Sequence, residues 1–411
     1  MIFFNHRPDY LQVVRRGHRV NYLFFFLCAL CLLCGLVFSC ARKDNTIEFT
    51  DANFLQDTIT LPLDLVWKQA QEMASSMSDS LLAAQVIITG IDGRGHLPPH
   101  MKELLETIPA GGVMFFRQNL NIDNDSIRAF ITETSNLIAE HSGLIPFIAI
   151  DHEGRTVNRL NRGVADLPAA SSYWKIDFSD EILKTIRDDS YRAGQVLASL
   201  GFNMNFAPVA EYLNDDNRDF LHSRSYGPDP FFTAEASAAF LYGMKDAGIM
   251  CVVKHFPGSA GRDPHYTVSV LNFEIDSLQD LNLANYIYPF SDLISRGARA
   301  VMAAHTLIPA IDNKVVSLSS IAMNDWLRGE LGFDGIIIAD DFNMAAAGNM
   351  SPDIAAVHSV IAGADMVMSW PRDLQRTHTA FMTALENGEL TRERLEEAVS
   401  RVIYEKMLMQ F

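Results

Sequence analysis

Eight short, nearly uninterrupted apolar runs recur along the chain, at 85–91, 112–116, 146–150, 202–206, 250–253, 298–303, 335–339 and 364–368. Each is too short for a buried helix and lacks the apolar–polar alternation of a strand with one wet face. Such runs are the pattern of parallel strands covered on both sides. Segments of helical length separate most of them. Eight strand–helix units over about 350 residues predict an α/β fold, a single (β/α)8 TIM barrel, although periodicity alone also admits an open doubly wound sheet. The last helix is the clearest. Asn387-Gly388 supplies a turn, Thr391 caps, and Leu395, Val399, Val402 and Ile403 share one face that is expected to pack on the barrel.

The barrel is expected over 61–411, because what precedes it has another composition. Arg15, Arg16 and Arg19 stand before an apolar run at 22–38, the order of a secretory signal. Leu36-Val37-Phe38-Ser39-Cys40 is similar to a bacterial lipobox, which makes Cys40 the expected lipidation site and 1–40 the signal. An uncleaved anchor and a misassigned start are the alternatives. Either of the first two exports the body and holds it at a membrane, with 41–60 as a polar tether. Cys28, Cys31 and Cys34 lie in the apolar run, so Cys251 is the one cysteine of the body and no disulfide can form there. The formal charge of −17 becomes −20 when Arg7, Arg15, Arg16, Arg19 and Asp9 are set aside, which argues against nucleic acid as a partner.

In a barrel of this kind the residues that follow the strands form the functional face. Here they are Asp92, Arg117, Asp151, Lys254 with His255, His305, and Asp340 with Asp341. Charged groups after six of eight strands point to a site. A metal-dependent hydrolase needs a pair such as His-x-His after an early strand, whereas the first run leads into Asp92-Gly93-Arg94-Gly95-His96. No metal and no cofactor are therefore expected. Glycoside hydrolysis needs a carboxylate to attack the anomeric carbon and a second group to protonate the leaving oxygen.

KHFPG at 254–258, the pair Asp263-x-His265, ADDFNMAAA at 339–347, IDHEG at 150–154, NFAPV at 205–209 and RSYG at 224–227 resemble, in order, the barrel of glycoside hydrolase family 3. HTLIPAID at 305–312 and LRGELGFDG at 327–335 extend the resemblance, which is narrower still to the single-domain β-N-acetylglucosaminidases. It implies Asp340 as nucleophile, with Asp341 a structural neighbour, and Asp263 with His265 as the acid/base dyad. It also implies Asp151, Arg159, Arg224, Lys254 and His255 as sugar-binding groups, with a GlcNAc-containing glycan as the partner. An imidazole titrating near pH ~6.5 can donate and then accept a proton in one cycle, and a neighbouring carboxylate favours its donor form.

The chain also departs from the family pattern. Ser259 replaces a His, Glu211 stands where Asp is more usual, Thr156 replaces an Arg, one Gly of the third-strand motif is lost, and the dyad loop is short and contains Pro264. The expected activity is retaining, exo-acting removal of terminal β-linked N-acetylglucosamine from cell-wall fragments or chitooligosaccharides. The rival is a surface lipoprotein that binds glycan on the same scaffold without turnover.

Overall fold

The computed structural model describes residues 62–160, 165–174, 179–261, 263–264, 266–273, 281–344 and 350–409. The segment 1–61, with Cys40 and the tether, lies outside the described residues, as does His265. Among the described residues no helix is long and apolar enough to cross a membrane.

All eight apolar runs become strands: β1 (Ile87–Gly90), β2 (Gly112–Phe115), β3 (Phe147–Ile150), β4 (Met204–Asn205), β5 (Met250–Phe256), β6 (Ala300–Ala303), β7 (Ile336–Ala339) and β8 (Met366–Ser369). They pair in parallel in chain order, and β8 pairs with β1 to close the barrel. Helices alternate with them: α1 (Leu63–Ser76), α2 (Asp79–Gln85), α3 (Pro99–Thr107), α4 (Asn124–Ser142), α5 (Asp180–Leu200), α6 (Pro230–Asp246), α7 (Leu281–Ser295), α8 (Ile321–Glu330), α9 (Pro352–Ala362), α10 (Pro371–Glu386) and α11 (Arg392–Leu408). Two boundaries differ from the sequence expectation. The strand at 202–206 shrinks to two paired residues, and β5 runs on through Lys254, His255 and Phe256, so those two polar residues belong to the strand rather than follow it.

The continuous apolar character of the runs now has its reason. Ile88, Met114, Phe147, Ala149, Ile336 and Ile338 point into the barrel, while Ile87, Val113, Ile148 and Ile337 meet the helical layer. Successive side chains take opposite faces, and both faces are dry.

Helix α11 is built as expected. The Thr391 hydroxyl accepts the Arg394 N–H at 3.2 Å, and Leu395, Val399, Val402 and Ile403 are buried. Val402 joins the barrel's interior cluster, so the helix closes the end opposite the strand C-termini. At the same end Lys406 is 3% exposed, donates to Gln85 Oε1 at 2.9 Å and lies 5.3 Å from the centre of the Phe147 ring. Asp365 is buried there too, accepting from Arg328 and from the Ile337 N–H. These ionisable groups are remote from the strand C-termini and read as stability devices.

Burial pushes the Lys406 ammonium down from 10.5 to about 7. Between those values the unfolded chain binds a proton that the folded chain does not, so the contribution of Lys406 to stability rises with pH across that window. The stability of wild type relative to Lys406→Met should therefore increase steadily from pH 7 to pH 10 in urea titrations. A difference independent of pH would mean that Lys406 stays charged in the fold.

Candidate active site

A cavity of about 390 Å³ opens at the strand C-termini, lined by Asp151, Glu153, Arg159, Arg224, Lys254, His255, His305, Asp340 and Trp370 among others. Its polar wall is one ion cluster. Lys254 Nζ lies 2.9 Å from Asp151 Oδ1 and 2.7 Å from Glu153 Oε1. Arg224 grips Glu153 with two parallel bonds of 2.8 and 2.9 Å, and Arg159 Nη2 reaches Asp151 Oδ2 at 3.3 Å. Glu153 is nearly inaccessible: burial pushes its carboxyl up, but Arg224 and Lys254 outweigh that and hold it far below the carboxylate range. Burial opposes the Lys254 ammonium as well, and Asp151 and Glu153 reverse the effect. Of the cluster's cations, Lys254 is the one whose charge reaches Asp340.

Asp340 follows β7 and keeps partial access to the cavity. Burial raises its carboxyl, yet His255, His305, the Asp341 N–H at 2.8 Å and Lys254 bring it below 3.8, so it is ionised at neutral pH. The environment is that of a nucleophilic or charge-stabilising carboxylate rather than a proton donor. Asp341 is tied down: Oδ2 accepts the Trp370 indole N–H at 2.8 Å, and Oδ1 accepts two bonds from Asn343. This agrees with the structural part expected of it.

His305 is 2% exposed, with Nε2 donating to the Asp341 carbonyl at 3.0 Å and Nδ1 2.7 Å from the Ser317 hydroxyl. Burial lowers its pKa, which leaves a neutral ring fixed beside Asp340. Asp92 stands apart from the cavity, exposed and bonded to His100 at 3.1 Å. Arg117 also turns elsewhere, donating to the Asn158 carbonyl at 3.0 Å.

The loop after β5 is anchored at its root. The Thr306 hydroxyl donates to the Gly258 carbonyl, the Ala260 N–H donates to Ser269, and the Gly261 N–H donates to the Asp216 carbonyl. Beyond it Pro264 lines the cavity, whereas its neighbour Asp263 is not among the lining residues.

Two of the sequence's departures meet in this root. The buried Glu211 carboxylate accepts from His255 Nδ1 at 2.6 Å and from both the N–H and the hydroxyl of Ser259, at 2.7 and 2.6 Å. A carboxylate one methylene longer than Asp meets a hydroxyl shorter than His, and the position of His255 depends on the pair. Since a carboxylate only accepts, His255 Nδ1 carries the proton and Nε2 is the nitrogen left for the cavity. Glu153 and Glu211 are the two site carboxylates that sequence reasoning did not assign. Their one signal was position, in IDHEG and after NFAPV.

The model of the glycosyl hydrolase family 3 N terminal domain matches residues 73–404. The chain belongs to this family. A beta-hexosaminidase of Hydrogenovibrio crunogenus is 32% identical over 305 residues, 73% of this chain and 82% of that protein. A beta-hexosaminidase of Stenotrophomonas maltophilia is 31% identical over 289 residues, 69% and 82% of the two chains. Among solved structures, a glycoside hydrolase family 3 beta-N-acetylglucosaminidase from Paenibacillus matches with a TM-score of 0.74 at 28% identity. That match covers 82% of this chain but only 64% of the other. The beta-N-acetylhexosaminidase of Beutenbergia cavernae, at 24% identity and a TM-score of 0.71, covers 81% of this chain and 99% of its own and supports the barrel fold. The family expected from the motifs is thus the family found, and its branch is that of these relatives.

Shortening the carboxylate in Glu211→Asp should lower both the thermal midpoint and kcat/KM, because it breaks contact with Ser259 or with His255. Pairing it with Ser259→His should recover part of each. A double variant no better than Glu211→Asp alone would show that the two positions are not coupled.

Proposed function

We propose that the protein is a retaining exo-β-N-acetylglucosaminidase that removes a terminal β-linked N-acetylglucosamine from cell-wall fragments or chitooligosaccharides. The observation that carries the reading is an ionised Asp340 at the base of a cavity whose wall is the Asp151–Glu153–Arg159–Arg224–Lys254 ion cluster. The beta-hexosaminidase names of the relatives support the sugar.

In this mechanism Asp340 attacks the anomeric carbon and forms a glycosyl ester. His265, oriented by Asp263, protonates the leaving oxygen and then takes a proton from the water that opens the ester. Asp151, Arg159, Lys254 and His255 hold the sugar hydroxyls. Arg224 acts mainly through Glu153, since two of its donors are already spent there. The polar ring fixes a single sugar, which suits removal from a chain end. No step calls for a metal or a cofactor.

The sequence before the barrel completes the reading. We infer export and lipidation at Cys40, which would hold the enzyme at a membrane by way of 41–60.

Protein lacking residues 1–40 should release the aryl alcohol from an aryl β-N-acetylglucosaminide, and Asp340→Asn should reduce the rate by about 10³-fold or more. An Asp340→Asn enzyme as fast as wild type would remove the nucleophile assignment, and sugar binding without turnover would favour the glycan-binding lipoprotein. Loss of His265 should cost about 10²–10⁴ with poor leaving groups and much less with activated aryl ones. Because Asp340 ionises below 3.8, the acid limb of kcat/KM should lie below about pH 4, while the alkaline limb follows the imidazole, which a neighbouring carboxylate holds above its free value of ~6.5.

A further inference from the structure

Two aromatic rings lie face to face at the mouth of the barrel. Phe116 follows β2 and Trp370 follows β8, with ring centres 4.9 Å apart and planes 16° from parallel, and both line the catalytic cavity. The strand between β2 and β8 is β1, which ends at Gly90. A Cβ there would lie 3.1 Å from Pro371 Cδ, 3.4 Å from Phe116 Cε2 and 3.6 Å from the Trp370 ring, so the missing side chain gives the pair room to close over the strand end. Each ring is fastened through its backbone. The Phe116 N–H donates to the Asn119 side-chain oxygen at 2.8 Å, and the buried Asn119 amide donates to the Ile91 and Gly93 carbonyls, both at 2.9 Å. Pro371 opens α10 immediately after Trp370, which restricts the backbone of the residue before it.

Packing alone accounts for the stack, but not for the direction of the indole N–H. It donates to Asp341 Oδ2 at 2.8 Å, across 29 residues of chain. The other polar atoms of Asp341 are engaged as well. Its Oδ1 accepts the N–H and the amide of Asn343, both at 2.9 Å, its carbonyl accepts His305 Nε2 at 3.0 Å, and its own N–H donates to Asp340 Oδ1 at 2.8 Å. The Asn343 bonds close a local turn two residues on. The long-range anchors are His305 after β6 and Trp370 after β8, on either side of β7. The Asp341 N–H is thus aimed at Asp340 by a frame that spans three adjacent strands.

We propose that Trp370 is a positioning residue for the nucleophile: its indole N–H holds Asp341 so that the Asp341 N–H binds Asp340 Oδ1 and leaves Oδ2 for the anomeric carbon. The proposal rests on the glycosidase reading above and deepens it. Two consequences separate it from a purely structural role. A hydrogen bond donated to the ionised carboxylate favours that form, so loosening Asp341 should raise the pH at which Asp340 titrates. Because the bond orients the attacking oxygen rather than the sugar hydroxyls, its loss should fall on kcat and spare KM.

The test compares the full-length wild type with Trp370→Phe, which keeps a ring against Phe116 but has no N–H, and with Asp341→Asn, in which either orientation of the amide sets a donor against a donor. On an aryl β-N-acetylglucosaminide each variant should lose about tenfold or more in kcat, the usual worth of a hydrogen bond to a charged group, with KM unchanged. The acid limb of kcat/KM should move to higher pH in both. The double variant should be no slower than the slower single one, because the two substitutions break the same bond. Carbon NMR titration of the Asp340 carboxyl, assigned with Asp340→Asn, should show the same upward shift without substrate. A Trp370→Phe enzyme with wild-type kcat and acid limb overturns the proposal. So does a lower thermal midpoint with the acid limb unmoved, which makes the tryptophan a packing residue, or a raised KM at unchanged kcat, which makes it a sugar contact. A wild type that turns over no aryl glycoside, with the NMR shift present, keeps the coupling of Trp370 to Asp340 and overturns the glycosidase; no turnover and no shift overturns both.

Discussion

Glu153 is a carboxylate almost without solvent, and its ionised state depends on Arg224 and Lys254 together. Removing either partner would leave the buried carboxylate with a single cation, a fraction of the loss on the order of 3–5 kcal/mol that follows when such a pair is broken outright. Through Lys254 the same carboxylate is joined to Asp151, and through Asp151 to Arg159. The groups that face a sugar are therefore members of one rigid cluster rather than independent side chains, and their spacing is fixed before any ligand arrives. A pre-set polar wall lets binding contribute to catalysis instead of to ordering the site.

The cluster exists because the barrel brings distant segments to one end. Asp151 and Glu153 follow β3, Arg224 sits between β4 and α6, and Lys254 lies within β5. Opposite them stand Asp340 after β7 and the neutral His305 after β6. Asp340 is thus held below the usual carboxylate range by His255 and Lys254 on one side and by His305 on the other, while burial lowers the imidazole of His305 itself. The far end of the barrel uses its ionisable groups differently: Asp365 and Lys406 are buried away from the cavity, where they satisfy the base of the sheet and the last helix.

Departures from a family pattern acquire meaning only when the partners are seen. Ser259 and Glu211 are 48 residues apart and read from the chain as two separate losses. In the fold they are one exchange, because the longer acid reaches the shorter alcohol and both hold His255 in place. The short dyad loop is similar: its root is fastened at Gly258, Ala260 and Gly261, and Pro264 comes back over the cavity.

The sequence by itself determined the class of architecture. Eight runs dry on both faces must be parallel strands covered by helices, and the cap and apolar stripe of α11 specify its last helix with no help from elsewhere; that the sheet closes through β8 on β1, rather than staying open, was decided by the tertiary structure. The sequence also determined which residues stand at the strand ends, since a strand that leaves the core must end in polar groups. What it could not determine is which of those groups meet. Asp92 and Arg117 satisfy the same local rule as Asp151 and Asp340, yet they point away from the cavity. Glu153 and Glu211 look ordinary in the chain and become central only when buried cations close around them. Local pattern reports on hydrophobic burial, which is summed over neighbouring residues; pairing of charges depends on distances across the barrel mouth, which only the tertiary structure sets.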